Sequence, residues 1–513
     1  MLTHAPANLI GGVWKSPEGP GSSLLRSVNP ANGSVVWQGT ENAADVPAAV
    51  AAARAALPAW RALGLDGRVK VLRKFQEIAK SREDTLAKLL AMEVGKVLWD
   101  AKAEAGLLSN KVDITLDTAK EGGLARVTPF EVNLSATRVG RCDFRSHGVM
   151  AVIGPFNFPA HLPNGHIVPA LAMGNTVVFK PSDKAPGVGQ MLVEMFDEAM
   201  RACGAPAGVV NLVQGGVSVA KALVASESDV DGVLFTGSWP VGRSIMEASL
   251  DRPGRLLALE MGGNNAAIVM PDCDLKQALI ECVRSAFVGT GQRCTCTRRI
   301  IVHRDIATKF VPAFCKMASN LIVGDPFALH PAFMGPIISR AARDAVLRAQ
   351  SEMAAEGGEV LVQATAMEGD GNYITPGVVR VESFTKGKSY SCQPGTDVEV
   401  FGPLVRICEV ESFDRAITLA NETDFGLAAS LFTKDDAVMK RFLNECRAGC
   451  LNINTGTAGA SSKLPFGGLG LSGNHRAAGS FSTDYCAYPV ASMIERSGTA
   501  AVPVGMRVEE VTK

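Results

Sequence analysis

The chain has 513 residues, 51 basic and 51 acidic side chains, 47% hydrophobic content and a formal net charge of zero. That length suggests about three domains and a large core, and the balanced charge argues against a nucleic-acid binder or a protein held to membranes by surface charge. No apolar run reaches the roughly 18 to 20 residues of a transmembrane helix, and Met1 to Pro20 lacks the apolar stretch of a secretory signal, so a cytoplasmic protein is expected.

Asn32 and Gly33 signal a hairpin turn, with Val35, Val36 and Trp37 starting the return strand. From Ala44 to Leu90 the pattern is helical: Val69, Leu72, Phe75, Ile78 and Ala79 recur at three- and four-residue spacing, and the texture continues to about Lys120. In residues 129 to 146, Val132, Leu134 and Ala136 alternate with polar neighbours, which predicts an exposed hairpin suited to oligomerisation. From residue 148 short apolar runs alternate with helical stretches. The runs are Val149 to Ile153, Thr176 to Phe179, Val209 to Val213, Gly232 to Phe235, Leu256 to Leu259 and Ala266 to Val269; the helices are 184–203, 217–226 and 240–250. This alternation predicts a parallel α/β sheet. A second set follows: Ile300 to His303, Val378 to Val381, Leu404 to Val410, Ser430 to Phe432 and Cys450 to Ile453. A domain boundary is expected near 260 to 275, and a last strand at Tyr485 to Met493 precedes a polar tail.

Two motifs carry little. Gly468, Gly470 and Gly473 match a dinucleotide fingerprint by letter, but no strand leads into them and no helix-forming run follows. The segment Gly237 to Ser244 resembles a phosphate loop with Arg243 in place of lysine; it follows a strand and opens a helix, so it suits phosphate contact rather than nucleotide hydrolysis. Twelve cysteines in a chain of this kind read as thiols, and neither close pair, Cys294/Cys296 or Cys446/Cys450, has zinc-site spacing; no metal site is expected.

Five segments carry chemistry: Gly154 to Pro159 around Asn157, Phe179 to Ser182 around Lys180, Leu259 to Asn265 starting with Glu260, Gly291 to Cys294, and Glu399 to Pro403. Singly, Asn157 is a turn residue, Glu260 a strand-end carboxylate and Cys294 a small buried hydrophobe. Together they fall at strand ends or in helix-flanking loops, where parallel sheets bind ligands.

In this order and spacing, the sequence resembles the aldehyde dehydrogenase superfamily over nearly its whole length. Within it the chain is most similar to the branch that oxidises N-succinylglutamate 5-semialdehyde in arginine catabolism. His161 to His166, Glu260 to Asn265, Gln292 to Cys296 and Ser472 to Arg476 carry that closer likeness. The resemblance implies an α/β fold with a Rossmann-type cofactor domain (1–122 and 147–259), an α/β catalytic domain (260–457) and a small β oligomerisation arm (123–146 and 484–494). Residues 458–483 would form an active-site loop region and 495–513 a tail. It also implies a homodimer or homotetramer.

The resemblance assigns Cys294 as nucleophile, Glu260 as general base and Asn157 as oxyanion donor. A thiolate makes the aldehyde carbon tetrahedral, so that hydride can leave, and a base is then needed to hydrolyse the thioester. NAD, in preference to NADP, would be held by Lys180, Asp183, Gly237, Ser238, Glu399 and Phe401. A substrate with several carboxylates would meet His161, Asn164, Arg293, His475 and Arg476, with His166 and Asn474 as further candidates. Arg293 is placed either to lower the Cys294 pKa or to enter a structural ion pair. The alternative substrate is another acidic, or a broad-range, aldehyde. All three catalytic groups are present, which argues against a silent relative.

Overall fold

The computed structural model describes residues 2–225, 227–386, 397–498, 500 and 502–508. The expected catalytic span includes residues 387–396 and the expected tail includes residues 509–513, which lie outside the described residues.

The first sheet has five parallel strands in the order Leu256–Glu260, Gly232–Thr236, Val149–Ile153, Thr176–Lys180 and Val210–Leu212; Asn8–Ile10 and Val13–Lys15 extend it antiparallel. Val149–Ile153 and Thr176–Lys180 are buried at every position, as continuous apolar runs covered on both faces should be. Among the parallel strands the chain lays Val149–Ile153 first, builds outward on one side toward Asn8–Ile10, then returns to lay Gly232–Thr236 on the other. That reversal opens a crevice at the strands' carboxyl ends.

The second sheet has six parallel strands in the order Gly377–Arg380, Leu404–Val410, Thr297–His303, Asn265–Val269, Ala428–Phe432 and Cys450–Ile453, with Glu359–Val362 antiparallel at one edge. The runs around 256 and 266 read as one series in the sequence, yet they belong to different sheets. Four residues, Met261 to Asn264, take the chain across. Helices Leu275–Phe287, Arg304–Ser319, Arg340–Ala355, Phe413–Asn421 and Asp436–Glu445 fill gaps that the strand pattern left unread.

The early helical stretch is four helices: Val46–Ala62, Gly64–Ser81, Glu83–Val94 and Leu98–Leu116. Leu72, Phe75, Ile78 and Ala79 face the core, and Phe75 stacks on Phe196 with ring centroids 3.8 Å apart. The last helix is unusual, because Asp100, Glu104 and Lys111 are buried on it beside Ala101, Ala105, Leu108 and Val112. The exposed hairpin is present as Phe130–Asn133 and Arg138–Ser146, and Ala487–Glu495 pairs antiparallel with its second strand along nine residue pairs. No described helix is long and apolar enough to cross a membrane.

Candidate active site

Carboxyl ends of the first sheet face amino-terminal loops of the second. Val149–Ile153 runs into the Gly154 to Pro159 loop, Thr176–Lys180 ends on Lys180, Gly232–Thr236 passes to Gly237 and Ser238, and Leu256–Glu260 ends on Glu260. From the other side Cys294 precedes Thr297–His303, and Glu399 and Phe401 precede Leu404–Val410. A cavity of about 190 Å³ between them is lined by Cys294, Glu260, Thr236, Phe158, His161 and Lys111, among others.

Glu260 is 4% exposed and its Oε2 has no hydrogen-bond partner. Burial pushes its carboxyl well above the ordinary range, and the Ala478 backbone N–H opposes this. Burial also pushes the Cys294 thiol up, and the Glu399 and Glu260 carboxyls add to that. Of the two readings of Arg293, the structure has the structural ion pair. Its guanidinium is ion-paired with buried Asp100, which takes up the charge that would have favoured the thiolate.

A thiol that rests protonated beside a carboxyl that rests at raised pKa forms a pair in which one group can take the proton of the other. Cys296 is not part of it. Its Sγ donates to the Val288 carbonyl at 3.7 Å and packs with Val288 and Ala458. Asn157 is buried and borders a narrow cleft with Gln292 and Arg293, the residues just before Cys294.

Helix His161–Ala172 forms one wall. Glu104 Oε1 accepts the N–H groups of Ala160 and His161, both at 3.1 Å, so a carboxylate sits at the positive end of that helix. Lys96 pairs with the same carboxylate and lies over the Phe158 ring. His161 Nδ1 is buried without a partner, and burial with the nearby Lys111 and Lys96 lowers the ring's pKa to about 3. His166 bonds Tyr485 Oη at 2.9 Å and Thr236 Oγ1 at 3.3 Å and is likewise lowered to about 3, chiefly by burial. Asn164 faces away from the cavity and donates to the Leu108 carbonyl at 3.1 Å.

The Ser472 to Arg476 segment is divided. Asn474 is spent on the sheet edge: it donates to the Leu257 carbonyl at 2.8 Å and accepts the Leu259 N–H at 2.9 Å. His475, in the left-handed region at φ 61°, and Arg476 are exposed. They border a separate groove that also reaches Glu260, and they are not among the residues lining the Cys294 cavity.

A dinucleotide fits the remaining groups. Ser238 caps helix Trp239–Ala248 by backbone alone, so its hydroxyl is not used in capping, and a helix N-terminus there suits a pyrophosphate. A Cβ on Gly242 would stand 2.4 Å from Met261 Sδ, so the close packing of that helix needs glycine. The Lys180 ammonium is buried with the Pro181 carbonyl as acceptor at 2.7 Å, and burial lowers its pKa to about 8 while Asp183 and Glu41 act the other way. Asp183 pairs with Lys184 at 3.2 Å. Glu399 Oε1 accepts the Gly263 N–H at 3.0 Å, and Phe401 meets Phe156 edge-on with centroids 5.8 Å apart.

Three participants escaped the sequence reading: Asp100, Glu104 and Lys111. Their spacing of four and seven residues puts charge on the same face as Leu108 and Val112. An ionised pattern on an apolar helix face is the signal that could have found them.

Facing parallel sheets with a thiol and a carboxyl in the cavity between them are the arrangement that an α/β enzyme with a cysteine nucleophile requires. The aldehyde dehydrogenase family model matches residues 14–489, and the chain belongs to that family, whose members oxidise aldehydes with NAD(P). The chain is 43% identical over 486 residues to the N-succinylglutamate 5-semialdehyde dehydrogenase of Caulobacter sp. (strain K31), covering 94% of this chain and 95% of that one. It is 42% identical over 487 residues to the protein of the same name from Chromobacterium violaceum, covering 94% and 96%. Among solved structures it is similar to PnpE from Pseudomonas sp. WBC-3, with TM-score 0.88, 31% identity, and 98% of this chain and 100% of that one covered. GapN from Methanocaldococcus jannaschii DSM 2661, complexed with NADP, aligns with TM-score 0.83 and 27% identity over 92% of this chain and 99% of that one.

Proposed function

We propose that this enzyme oxidises N-succinyl-L-glutamate 5-semialdehyde to N-succinyl-L-glutamate with NAD, as a cytoplasmic step of arginine degradation. The names of relatives at 42–43% identity over 94% of the chain support the substrate. The observation that carries the chemistry is the shared cavity of Cys294 and Glu260.

Cys294 gives up its proton to Glu260, which passes it to solvent before the thioester is hydrolysed, and its sulfur bonds the aldehyde carbon. The carbonyl oxygen becomes an oxyanion, for which the Asn157 amide and the Cys294 backbone N–H are the donors. Collapse of the oxyanion expels hydride and leaves a thioester on Cys294. Bound NAD supplies the hydride acceptor. Lys180 and Asp183 would hold its adenosine ribose, Gly237 and Ser238 its pyrophosphate, Glu399 its nicotinamide ribose, and Phe401 would pack beside the nicotinamide. Glu260 then takes a proton from water as the water oxygen bonds the thioester carbon, the C–S bond breaks, and the acid leaves. A carboxylate at position 183 would oppose a 2′-phosphate and so supports NAD over NADP, while Lys184, paired with it at 3.2 Å, offsets part of that charge.

Residues 1–122 and 147–259 are proposed as the cofactor domain, 260–457 as the catalytic domain, and 123–146 with 484–494 as the arm that joins copies into a homodimer or homotetramer. The test is NAD reduction with N-succinylglutamate 5-semialdehyde and succinate semialdehyde side by side. Preference for the former, lost in Cys294→Ala, is expected; equal rates or preference for the smaller aldehyde would remove the substrate assignment.

A further inference from the structure

The cavity around Cys294 holds a cation for which the reaction has no use. Lys111 is 3% exposed on helix Leu98–Leu116 and lines the same cavity as Cys294, Glu260 and His161. Its ammonium donates to the Gly479 carbonyl at 2.7 Å and to the Ser482 hydroxyl at 3.0 Å. Both acceptors are neutral. The other buried or half-buried cations around the cavity have carboxylates of their own: Arg293 has Asp100 and Lys96 has Glu104. No carboxylate pairs with Lys111 among the described residues.

A buried ammonium without a counter-ion is unfavourable, and burial lowers its pKa to about 8. Its titratable neighbours do not supply the missing charge. His161 and His166 are held neutral, and burial pushes Tyr485 and Cys486 up, which keeps them protonated. An ammonium has three N–H donors, and two are taken. A cavity wall with a spare cationic donor, next to a His161 Nδ1 that has no partner, is built for an anion.

We propose that Lys111 determines specificity by pairing with a carboxylate of the substrate, carried at the end of the molecule remote from the aldehyde, with His161 Nδ1 as a second polar contact. The inference rests on the acidic-aldehyde reading above and deepens it. A carboxylate on Lys111 supplies the counter-ion that the fold omits and keeps the negative end of the substrate away from Glu260. Arg293 also lines this cavity, but its charge is paired with Asp100, whereas His475 and Arg476 border the other groove.

The test compares wild type, Lys111→Met and Lys111→Arg on N-succinylglutamate 5-semialdehyde and on pentanal, with Tm recorded for each. In Lys111→Met the kcat/KM ratio of acidic to neutral aldehyde should fall roughly ten- to a hundredfold, as expected for loss of a charge-assisted contact. The loss should lie mainly in KM, and arginine should restore part of it. If Lys111→Met does not fold, Lys111→Gln, which keeps a donor for Gly479, is measured instead with the same expectation. A ratio unchanged in the folded variant, with wild type preferring the acidic aldehyde, overturns the role of Lys111 alone. Wild type that turns over pentanal through Cys294 but does not prefer the acidic aldehyde overturns the substrate reading and this inference together.

Discussion

The side-chain amide of Asn265 donates to the carbonyl of Cys294 at 2.7 Å. It also donates to the Cys296 carbonyl at 2.8 Å, and its Oδ1 accepts the Ala428 N–H at 2.9 Å. One strand-end residue of the second sheet therefore fixes the peptide of the proposed nucleophile. Asn265→Ala is expected to lower kcat by about 10- to 100-fold, because small displacements of a reacting group are costly, while cofactor affinity stays within a few-fold. Asn265→Asp, which cannot donate, should be at least as impaired. Steady-state kinetics and a dinucleotide titration check both.

As the proposed base, Glu260 must be ionised, and burial raises its pKa. The hydrolysis rate should therefore rise with pH through that raised value. Glu260→Gln should remove the rising limb and lower kcat by about 10²- to 10⁴-fold. The pH profile of single-turnover hydrolysis measures this.

Arg293 and Asp100 tie the nucleophile's loop to the helix Leu98–Leu116. Removing arginine strands a carboxylate that is 2% exposed. Arg293→Ala should destabilise the protein by about 3 kcal/mol, and the double variant with Asp100→Ala should recover part of the loss. Unfolding midpoints of the two variants decide it.

At the cofactor site, a Cβ on Gly262 would lie 1.8 Å from Glu399 Oε2. Gly262→Ala is therefore expected to displace Glu399 and weaken NAD binding about tenfold, read by fluorescence titration. Asp183→Ala, which removes the carboxylate paired with Lys184, should raise the NADP-to-NAD ratio of kcat/KM by about tenfold.

His166 is lowered to about 3 in the fold against an ordinary value of 6.5. Between those values the unfolded chain binds more protons, so stability is lost as pH falls from about 6.5 toward 3, by up to about 1.4 kcal/mol per pH unit for this group. His166→Asn should flatten that acid limb. Unfolding midpoints at pH 7 and pH 5 test it, and an unchanged slope would show that His166 does not contribute.

Strand positions in both sheets were legible because fully buried parallel strands read as unbroken apolar runs, as in Val149–Ile153 and Thr176–Lys180. The helices of the second half were harder to read. Arg340–Ala355 buries only Val346 and Gln350, so its periodicity is faint. The division between sheets at Met261 to Asn264 lies inside the boundary expected near 260 to 275, but the run at Ala266 to Val269 reads with the first set, since Leu256–Glu260 and Asn265–Val269 look alike in the sequence. Within the site, Cys294 and Glu260 were legible through the order and spacing of five segments and the family resemblance that these carry. Lys111 and Asp100 were not, because a charged residue on a helix reads as solvated until its neighbours are known.

The most direct test is intact-protein and peptide mass spectrometry of Glu260→Gln, mixed with NAD and N-succinylglutamate 5-semialdehyde and quenched in acid. The result expected is an acyl adduct of the N-succinylglutamyl mass that peptide fragmentation places on Cys294 and not on Cys296, absent without NAD. An adduct confined to Cys296, or NADH formed with no acyl-enzyme at any time point, would contradict the thioester route through Cys294.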